Sequence, residues 1–538
     1  MVKRKQILLL IFFGALLLAL QFCVVVNANF KPIPHSAVHI TGNGEIEPAD
    51  APITRSGNVY TFTGNWTKYV LKVERSNIVI DGAGFYIVGN SVGQGIGFYN
   101  VQGVSVVNVN IIEVNRGIYL EQCSDLTISG CTVTGGNNGI YLNGSINNEA
   151  SDNRLISAFN GITLDHSANN KLQNNSIENS HKHGFGLDFL VTGQSIKDYT
   201  NNIDSSNTVN GAPIIYWVNR ENDAVPSNAA YVVLVNCKGI TVENLHITKT
   251  QGILAAWTTN STIANNYLDL NSNGIHLLYC SDIKIVNNEV WRNSDIEDGG
   301  DGVRLDYSQF VTVANNKLTD NDNGGVTCNN SSKNQIIGNV IGQNHYNGVN
   351  LVGHSDFNLV ALNYFFNHTT MSRGAVFIED SENNTIAANN FTHNGCWAIQ
   401  FKGHQRDNLI YANNFQNNSY YNTRYTVGAL QVSTPGTENG NIWEHEGVGN
   451  YWSDYTGSDT NGDGIGDTPY FINPNNIDNY PVLTVIDTSN VPLDIKGLYL
   501  PAPEFSLEYF PVIIVAVLII ATVAGTQIRK KTHLIVQA

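Results

Sequence analysis

One short loop offers the most specific chemistry in this sequence. Asp459, Asn461, Asp463 and Asp467 stand at positions 1, 3, 5 and 9 of a loop whose sixth residue is Gly464, leaving the Ile465 carbonyl for position 7. Oxygen donors at alternate residues around a glycine turn suit a hard divalent cation, so the loop is a candidate calcium site that stiffens rather than catalyses. Its position 12 is Tyr470 where a bidentate Glu would stand, so a further carboxylate is needed, from Asp454 or Asp478.

A second set lies upstream, where Asp295, Glu297, Asp298 and Asp301 are followed by Asp320, Asp322, His345 and Arg373. Stacked on one edge of a repeat, carboxylates one coil apart would lie within the roughly 5–10 Å that glycosidases place between acid and base. Asp298, Asp301, Asp322 and His345 are therefore the catalytic candidates of a polysaccharide hydrolase, lyase or epimerase. No Gly-His-Gly or Arg-x-Lys signature accompanies them, and acidic turns at a solvated edge are common. The enzyme reading thus ranks below binding, and His181 and His183 carry no more weight. Trp217, Trp257, Trp291, Tyr346 and Trp397 are the binding candidates, because an aromatic face suits the C–H face of a sugar. Such rings also fill gaps beneath loops.

The elements that position these residues follow from a repeat. A unit reading Asn-Gly-Ile-x-Leu, then Ser-x-x-Asn-x-Ile, then x-x-Asn-x-Ile recurs about every 22 residues, with glycines at Gly117, Gly139, Gly161, Gly274, Gly302 and Gly348. Apolar residues alternate within it, as in Ile118/Leu120, Ile140/Leu142 and Val303/Leu305, which is the period of strands with one buried face. The reading is an all-β, right-handed parallel β-helix. Asn153, Asn175, Asn266, Asn288, Asn316, Asn339, Asn363, Asn389 and Asn413 fall at one equivalent point per coil, where their amides bond from coil to coil as a structural ladder. Leucine-rich repeats share the period but want leucine at more positions. Cys123, Cys237 and Cys280 take positions that Ser167, Ser308 or Ser355 hold elsewhere, so they read as small turn residues rather than a disulfide framework.

Boundaries follow. Lys3, Arg4 and Lys5 before an apolar run make residues 1–28 a signal peptide. Residues 29–75 form an N-terminal cap and 76–425 the β-helix. A module is inserted at 186–230, where Asn210-Gly211 ahead of Ile214–Val218 suggests a hairpin. Residues 426–486 are the C-terminal cap with the calcium loop and 487–508 a linker. Residues 509–528 form one transmembrane helix, and Arg529, Lys530 and Lys531 hold the tail, 529–538, in the cytoplasm. The ectodomain is then outside, anchored at the cell surface. Its net charge of -16 disfavours nucleic acid and fits a neutral glycan or a cation. Sequons at Asn65, Asn143, Asn174, Asn260 and Asn330, among others, imply some glycosylation.

The chain resembles the NosD-like β-helix proteins, with their carbohydrate-binding and sugar-hydrolase-type repeats, in an archaeal surface-anchored form. The resemblance is carried by residues 77–84 (Asn-Ile-Val-Ile-Asp-Gly-Ala-Gly), 203–211 (Ile-Asp-Ser-Ser-Asn-Thr-Val-Asn-Gly), 449–455 (Gly-Asn-Tyr-Trp-Ser-Asp-Tyr) and the loop from Asp459 to Tyr470. Pro503-Glu504-Phe505 also resembles an archaeal sorting signal. The family name implies copper delivery to nitrous oxide reductase. With two methionines in the chain, one the initiator, the residues do not support that role. The expectation is a surface β-helix that binds or displays carbohydrate, with a polysaccharide-active enzyme second and a structural stalk third.

Overall fold

The structure is a computed structural model that describes residues 36–67, 69–89, 93–178, 187–294, 299–368, 373–395, 397–418, 431–434, 440–491 and 493. The expected signal peptide, the transmembrane helix at 509–528, the tail, His181, His183 and Asp298 lie outside them. Among the described residues no helix is long and apolar enough to cross a membrane.

Each coil is three short strands, as in Arg116–Glu121, Thr127–Ser129 and Thr132–Thr134. Coils stack in parallel register, Ile118 on Ile140, Ile128 on Ala150 and Val133 on Leu155. The alternation read from the sequence points these residues inward, where they are fully buried or nearly so. The repeating glycine is a matter of space: a Cβ on Gly117 would lie 2.4 Å from the Gly139 carbonyl oxygen, and one on Gly302 would lie 2.7 Å from that of Gly325. The asparagine ladder forms as expected. Asn266 donates from its backbone N and its Nδ2 to Asn288 Oδ1 at 2.9 and 3.0 Å, and Asn288, Asn316, Asn339, Asn363, Asn389 and Asn413 repeat the pattern up to Asn450. A second column joins Cys280, Ser308, Ser331, Ser355 and Ser381 by backbone N to side-chain oxygen bonds of about 3.0 Å. The described cysteines, Cys123, Cys131, Cys237, Cys280 and Cys328, are buried and free, as small turn and core residues.

Within residues 187–230, where an inserted module is expected at 186–230, Phe189–Thr192, Asn202–Ile203 and Thr208–Val209 pair in parallel with strands of the preceding coil. Thr208–Val209 pairs antiparallel with Ala212–Val218 through Asn210-Gly211, both left-handed at φ 49° and 86°. That hairpin is the one antiparallel step in a 16-stranded sheet that runs through the whole described solenoid. Strand direction therefore reverses while the sheet continues. A right-handed crossover can follow the reversal only by winding on the opposite face of the sheet. The core changes sides accordingly: Ile214 and Tyr216 pack with the first solenoid segment, whereas Ile215 between them opens the core of the second. The physical reason is parity, since neighbouring strand residues face opposite ways.

The second segment ends in an internal aromatic stack, Phe365, Phe391, Phe415, Trp452 and Tyr470, with centroid separations of 4.8, 5.2, 4.4 and 4.0 Å. Trp452 Nε1 donates to buried Asp478 Oδ2 at 2.8 Å, and the Asn450 backbone N does the same at 2.8 Å, which terminates the ladder.

Candidate functional site

Because the second segment winds on the far side, the outer face of its part of the long sheet meets the end of the first segment. Along that face the residues in register are Tyr231/Val233/Val235, Leu254/Ala256, His276/Leu278, Arg304/Asp306 and Thr327/Asn329. The first of these are buried and apolar, since they are covered by strand Phe189–Thr192 and its surroundings: Phe189 lies 5.7 Å from Tyr231 and 6.4 Å from Tyr216. Gln251 ties the two segments, accepting from Val191 N at 3.0 Å and from Tyr231 Oη at 2.6 Å. At His276 the face turns polar. A re-entrant corner results, floored by the sheet and walled by the end of the first segment.

Asp306 is the hub of that corner. Its Oδ2 lies 2.7 Å from His276 Nε2 and accepts from Arg304 Nε at 2.8 Å, while its Oδ1 accepts from Asn329 Nδ2 at 2.9 Å. Burial pushes its pKa up, but His276 and Arg304 outweigh burial and hold the carboxyl well below the usual range. Asp301 is shifted the other way. Its side chain is 0% exposed, and burial raises its pKa despite Arg304 Nη1 at 3.5 Å from Oδ2 and bonds to Oδ1 from Thr327 Oγ1 at 2.7 Å and Gly324 N at 2.9 Å. His276 and Arg304, whose side chains are 21% and 23% exposed, and half-buried Asn329 reach solvent.

Beside the cluster, at the turn that leaves the sheet, Trp257 stacks on Tyr279 and Tyr279 on Tyr307, each pair 4.8 Å apart with planes at 18° and 9°. Tyr199 of the first segment meets Trp257 from the other side at 5.8 Å. All of this stack has left-handed backbone, φ 51°, 54° and 52°, at a position that Asn236 and Asn330 fill in other coils. Bulky residues are uncommon there.

Of the sequence-derived catalytic edge, Asp301, Asp322 and His345 lie among the described residues. Asp301 is too deeply buried to touch a substrate and instead positions Arg304 and Thr327. Asp322 and His345 do occupy one stacked turn, their backbone N atoms bonding to Asn293 O at 2.9 Å and Asn321 O at 2.8 Å. Both are exposed, and no described hydrogen bond or ion pair joins them to each other or to Asp301. The aromatic candidates are scattered. Trp217 packs toward the second core beneath Arg220 at 4.5 Å, Trp291 lies against Arg292 at 3.5 Å on another sheet, and Tyr346 lies by Arg373 at 5.7 Å. Trp397 is half-buried, its carbonyl accepting from Ala375 N at 2.8 Å. Only Trp257 belongs to the corner. His276, Arg304, Asp306, Tyr279 and Tyr307 were not singled out from the sequence. The aromatic pair did leave a signal, because each directly precedes a ladder residue, Cys280 or Ser308, where Asn or Gly is usual.

In the C-terminal loop, Asp459 Oδ1 accepts from Gly462 N at 2.6 Å and Asp463 N at 3.2 Å, and Asp459 Oδ2 from Gly464 N at 2.9 Å. Asp463 Oδ1 accepts from Ile465 N at 2.8 Å, and Asp463 Oδ2 from Asn461 Nδ2 at 2.9 Å. Asp467 is held below its usual range by the Thr460 hydroxyl and N–H. Neither suggested extra ligand joins the loop: Asp454 Oδ2 accepts from Tyr470 Oη at 3.0 Å, and Asp478 is buried under Trp452.

A family model described as periplasmic copper-binding protein (NosD) matches residues 76–211, 189–373 and 368–457. No curated relative matches the chain. Solved structures with similarity include a mutant of the periplasmic alginate epimerase AlgG, at 13% identity and TM-score 0.27, covering 77% of this chain and 83% of that one. DFA-IIIase from Arthrobacter chlorophenolicus A6 with DFA-III matches at 12% and 0.32, covering 65% and 84%. The A-module of the Azotobacter vinelandii mannuronan C-5 epimerase AlgE6 matches at 12% and 0.24, covering 76% and 88%. These likenesses concern the fold alone.

Copper favours convergent Cys, Met and His. Here burial pushes the thiols of Cys131 and Cys280 up to about 11 and about 12, disfavouring the thiolate a metal would need. Among the described residues no three His, Cys, Asp or Glu side chains converge as a metal site. The described side chains therefore do not fit copper. By the span of the matching model, well over half its length, the chain belongs to the family described as periplasmic copper-binding protein (NosD).

Proposed function

We propose that this protein binds carbohydrate at the corner between its two solenoid segments, as an exported surface protein anchored by its C-terminal apolar segment. The observation that carries the reading is the Trp257–Tyr279–Tyr307 stack held in left-handed backbone beside the His276–Arg304–Asp306 cluster. Asn would fit that backbone better, so the rings are retained against local preference, as happens where they serve a site. Tyr279 and Tyr307, 39% and 49% exposed, offer apolar ring surface for sugar C–H groups, and the cluster offers hydrogen bonds to hydroxyls. Arg304 stands between two carboxylates, so its charge is matched and a neutral glycan suits the corner better than a polyanion.

The test passes the purified chain over immobilised xylan, glucomannan, laminarin and polygalacturonate, scoring retention and released products together. Retention on a neutral polysaccharide is expected, weakened about tenfold by Tyr279→Asn with Tyr307→Asn. The same double variant should be no less stable, because Asn relieves the strain. Unchanged retention in that variant sinks the reading. The contact of partly exposed His276 with Asp306, Nε2 to Oδ2 at 2.7 Å, favours one other reading, acid–base chemistry on the bound sugar. Soluble products that vanish in His276→Ala would make the protein an enzyme.

Calcium at the Asp459–Asp467 loop belongs to the same proposal, supported by the spacing of Asp459, Asn461, Asp463, Ile465 and Asp467 and by left-handed Gly462 and Gly464. Calcium at about 100 times its Kd should stabilise the chain by about 2–3 kcal/mol over chelator. Thermal melting reads it, and Asp463→Ala should remove it; equal melting in calcium and chelator would end the proposal.

A further inference from the structure

The turn that carries Tyr307 ends three residues later in Phe310, which is also left-handed, at φ 56°, and 48% exposed. In the coils that follow, the same turn position holds Lys333 and then Phe357, at φ 61° and 58°, and Phe357 is 58% exposed. Lys333 Nζ lies over the Phe310 ring at 5.5 Å. The rings thus continue from the corner along the solenoid axis, half-buried Trp257 and exposed Tyr279, Tyr307, Phe310 and Phe357, shifting by one turn column between Tyr307 and Phe310 of the same coil.

We infer that the ligand is an extended neutral polysaccharide lying parallel to the solenoid axis, gripped at the corner by Tyr279 and Tyr307 and farther along by Phe310 and Phe357. This rests on the carbohydrate reading above and adds the ligand's length and direction. Successive coils rise by roughly 4.8 Å, about the length of one sugar ring, so Phe310 and Phe357, two coils apart, match alternate sugars of a chain. The rings also differ from a protein-docking patch, which gathers its anchors into one desolvated centre. Here Phe310 and Phe357 are separated by a lysine and set among the polar side chains of Ser281, Asp282, Ser332, Asp356 and Glu382. Alternating apolar faces and hydrogen-bonding groups suit a polymer whose own surface alternates C–H faces with hydroxyls.

The experiment measures affinity of the full chain for size-fractionated oligosaccharides of xylan, glucomannan and laminarin, from disaccharide upward. For at least one of these series, affinity is expected to climb with length until the track is filled. Phe357→Asn, which the left-handed backbone accepts, should weaken the longest fraction about tenfold and leave the shortest unchanged, whereas Tyr307→Asn should weaken every fraction. Affinity independent of length, with Tyr307→Asn still damaging, overturns the axial track and leaves corner binding in place. Weakening of short and long fractions alike by Phe357→Asn also overturns it. No affinity for any fraction overturns the track together with the carbohydrate reading.

Discussion

Replacing His368 with Asn should raise stability in mildly acid solution and flatten its pH dependence. His368 is buried in a column otherwise built of asparagines, Asn271, Asn293, Asn321, Asn344, Asn394 and Asn418, between Thr250 at one end and Gln431 at the other. Its Nδ1 lies 2.8 Å from Asn394 Oδ1, and among the described residues its Nε2 has no hydrogen-bond partner. Burial drives its pKa down from 6.5 to about 4. The unfolded chain therefore takes up the proton first as pH falls. His368 is neutral in both states at pH 8 and contributes no pH dependence there. Below its unfolded value stability is progressively lost, reaching about 3 kcal/mol near pH 4. The urea midpoint of wild type should therefore drop between pH 7.5 and pH 5 by more than that of His368→Asn. A variant whose midpoint falls in parallel with wild type would show that His368 is not the group that titrates.

Asn363→Ala is expected to cost about 3–5 kcal/mol, the largest loss foreseen for a single side chain here. Asn363 Nδ2 donates to Ile336 O at 2.8 Å and Asn389 Oδ1 at 3.0 Å, and its Oδ1 accepts from Asn339 N at 2.9 Å and Asn339 Nδ2 at 3.0 Å. Truncation leaves the Asn339 amide and the Ile336 carbonyl buried without those partners, at a position where water does not reach. An exposed left-handed asparagine such as Asn265, at φ 55°, is the control, and Asn265→Ala should cost only about 1–2 kcal/mol. Hydrogen exchange should show the loss concentrated in the coils on either side of residue 363, because solenoid coils touch only their neighbours. Equal losses at Asn363 and Asn265 would mean the ladder contributes little.

The parts of this molecule that repeat were open to reading, and the parts that depend on one event were not. The glycine at each strand entry, the Ile/Leu alternation and the ladder asparagines obey local rules of period and parity, so each coil states them again. The cysteines were placed correctly for the same reason, by their position in the repeat. The acidic edge was less legible, because sharing a turn does not decide where a carboxylate points. Asp301 folds inward to Thr327 and Arg304, while Asp322 and His345, one coil apart, face solvent. The surroundings of the Trp candidates were not legible either, since ring exposure depends on which neighbour covers it, as Arg292 covers Trp291.

His276, Arg304 and Asp306 occupy outward strand positions, which in a single uninterrupted solenoid would read as an ordinary solvated face. What sets them beside the end of the first segment is the reversal at Asn210-Gly211, which the sequence did announce as a hairpin. By itself the sequence determined a parallel solenoid with its ladders and its turn at 210–211, because strand period, residue parity and left-handed turn preference are local. Only the tertiary structure decided that the second segment winds on the opposite face of the shared sheet. That choice belongs to the packing of two cores against one sheet, and it alone sets a polar strip against the end of the first segment to form a corner.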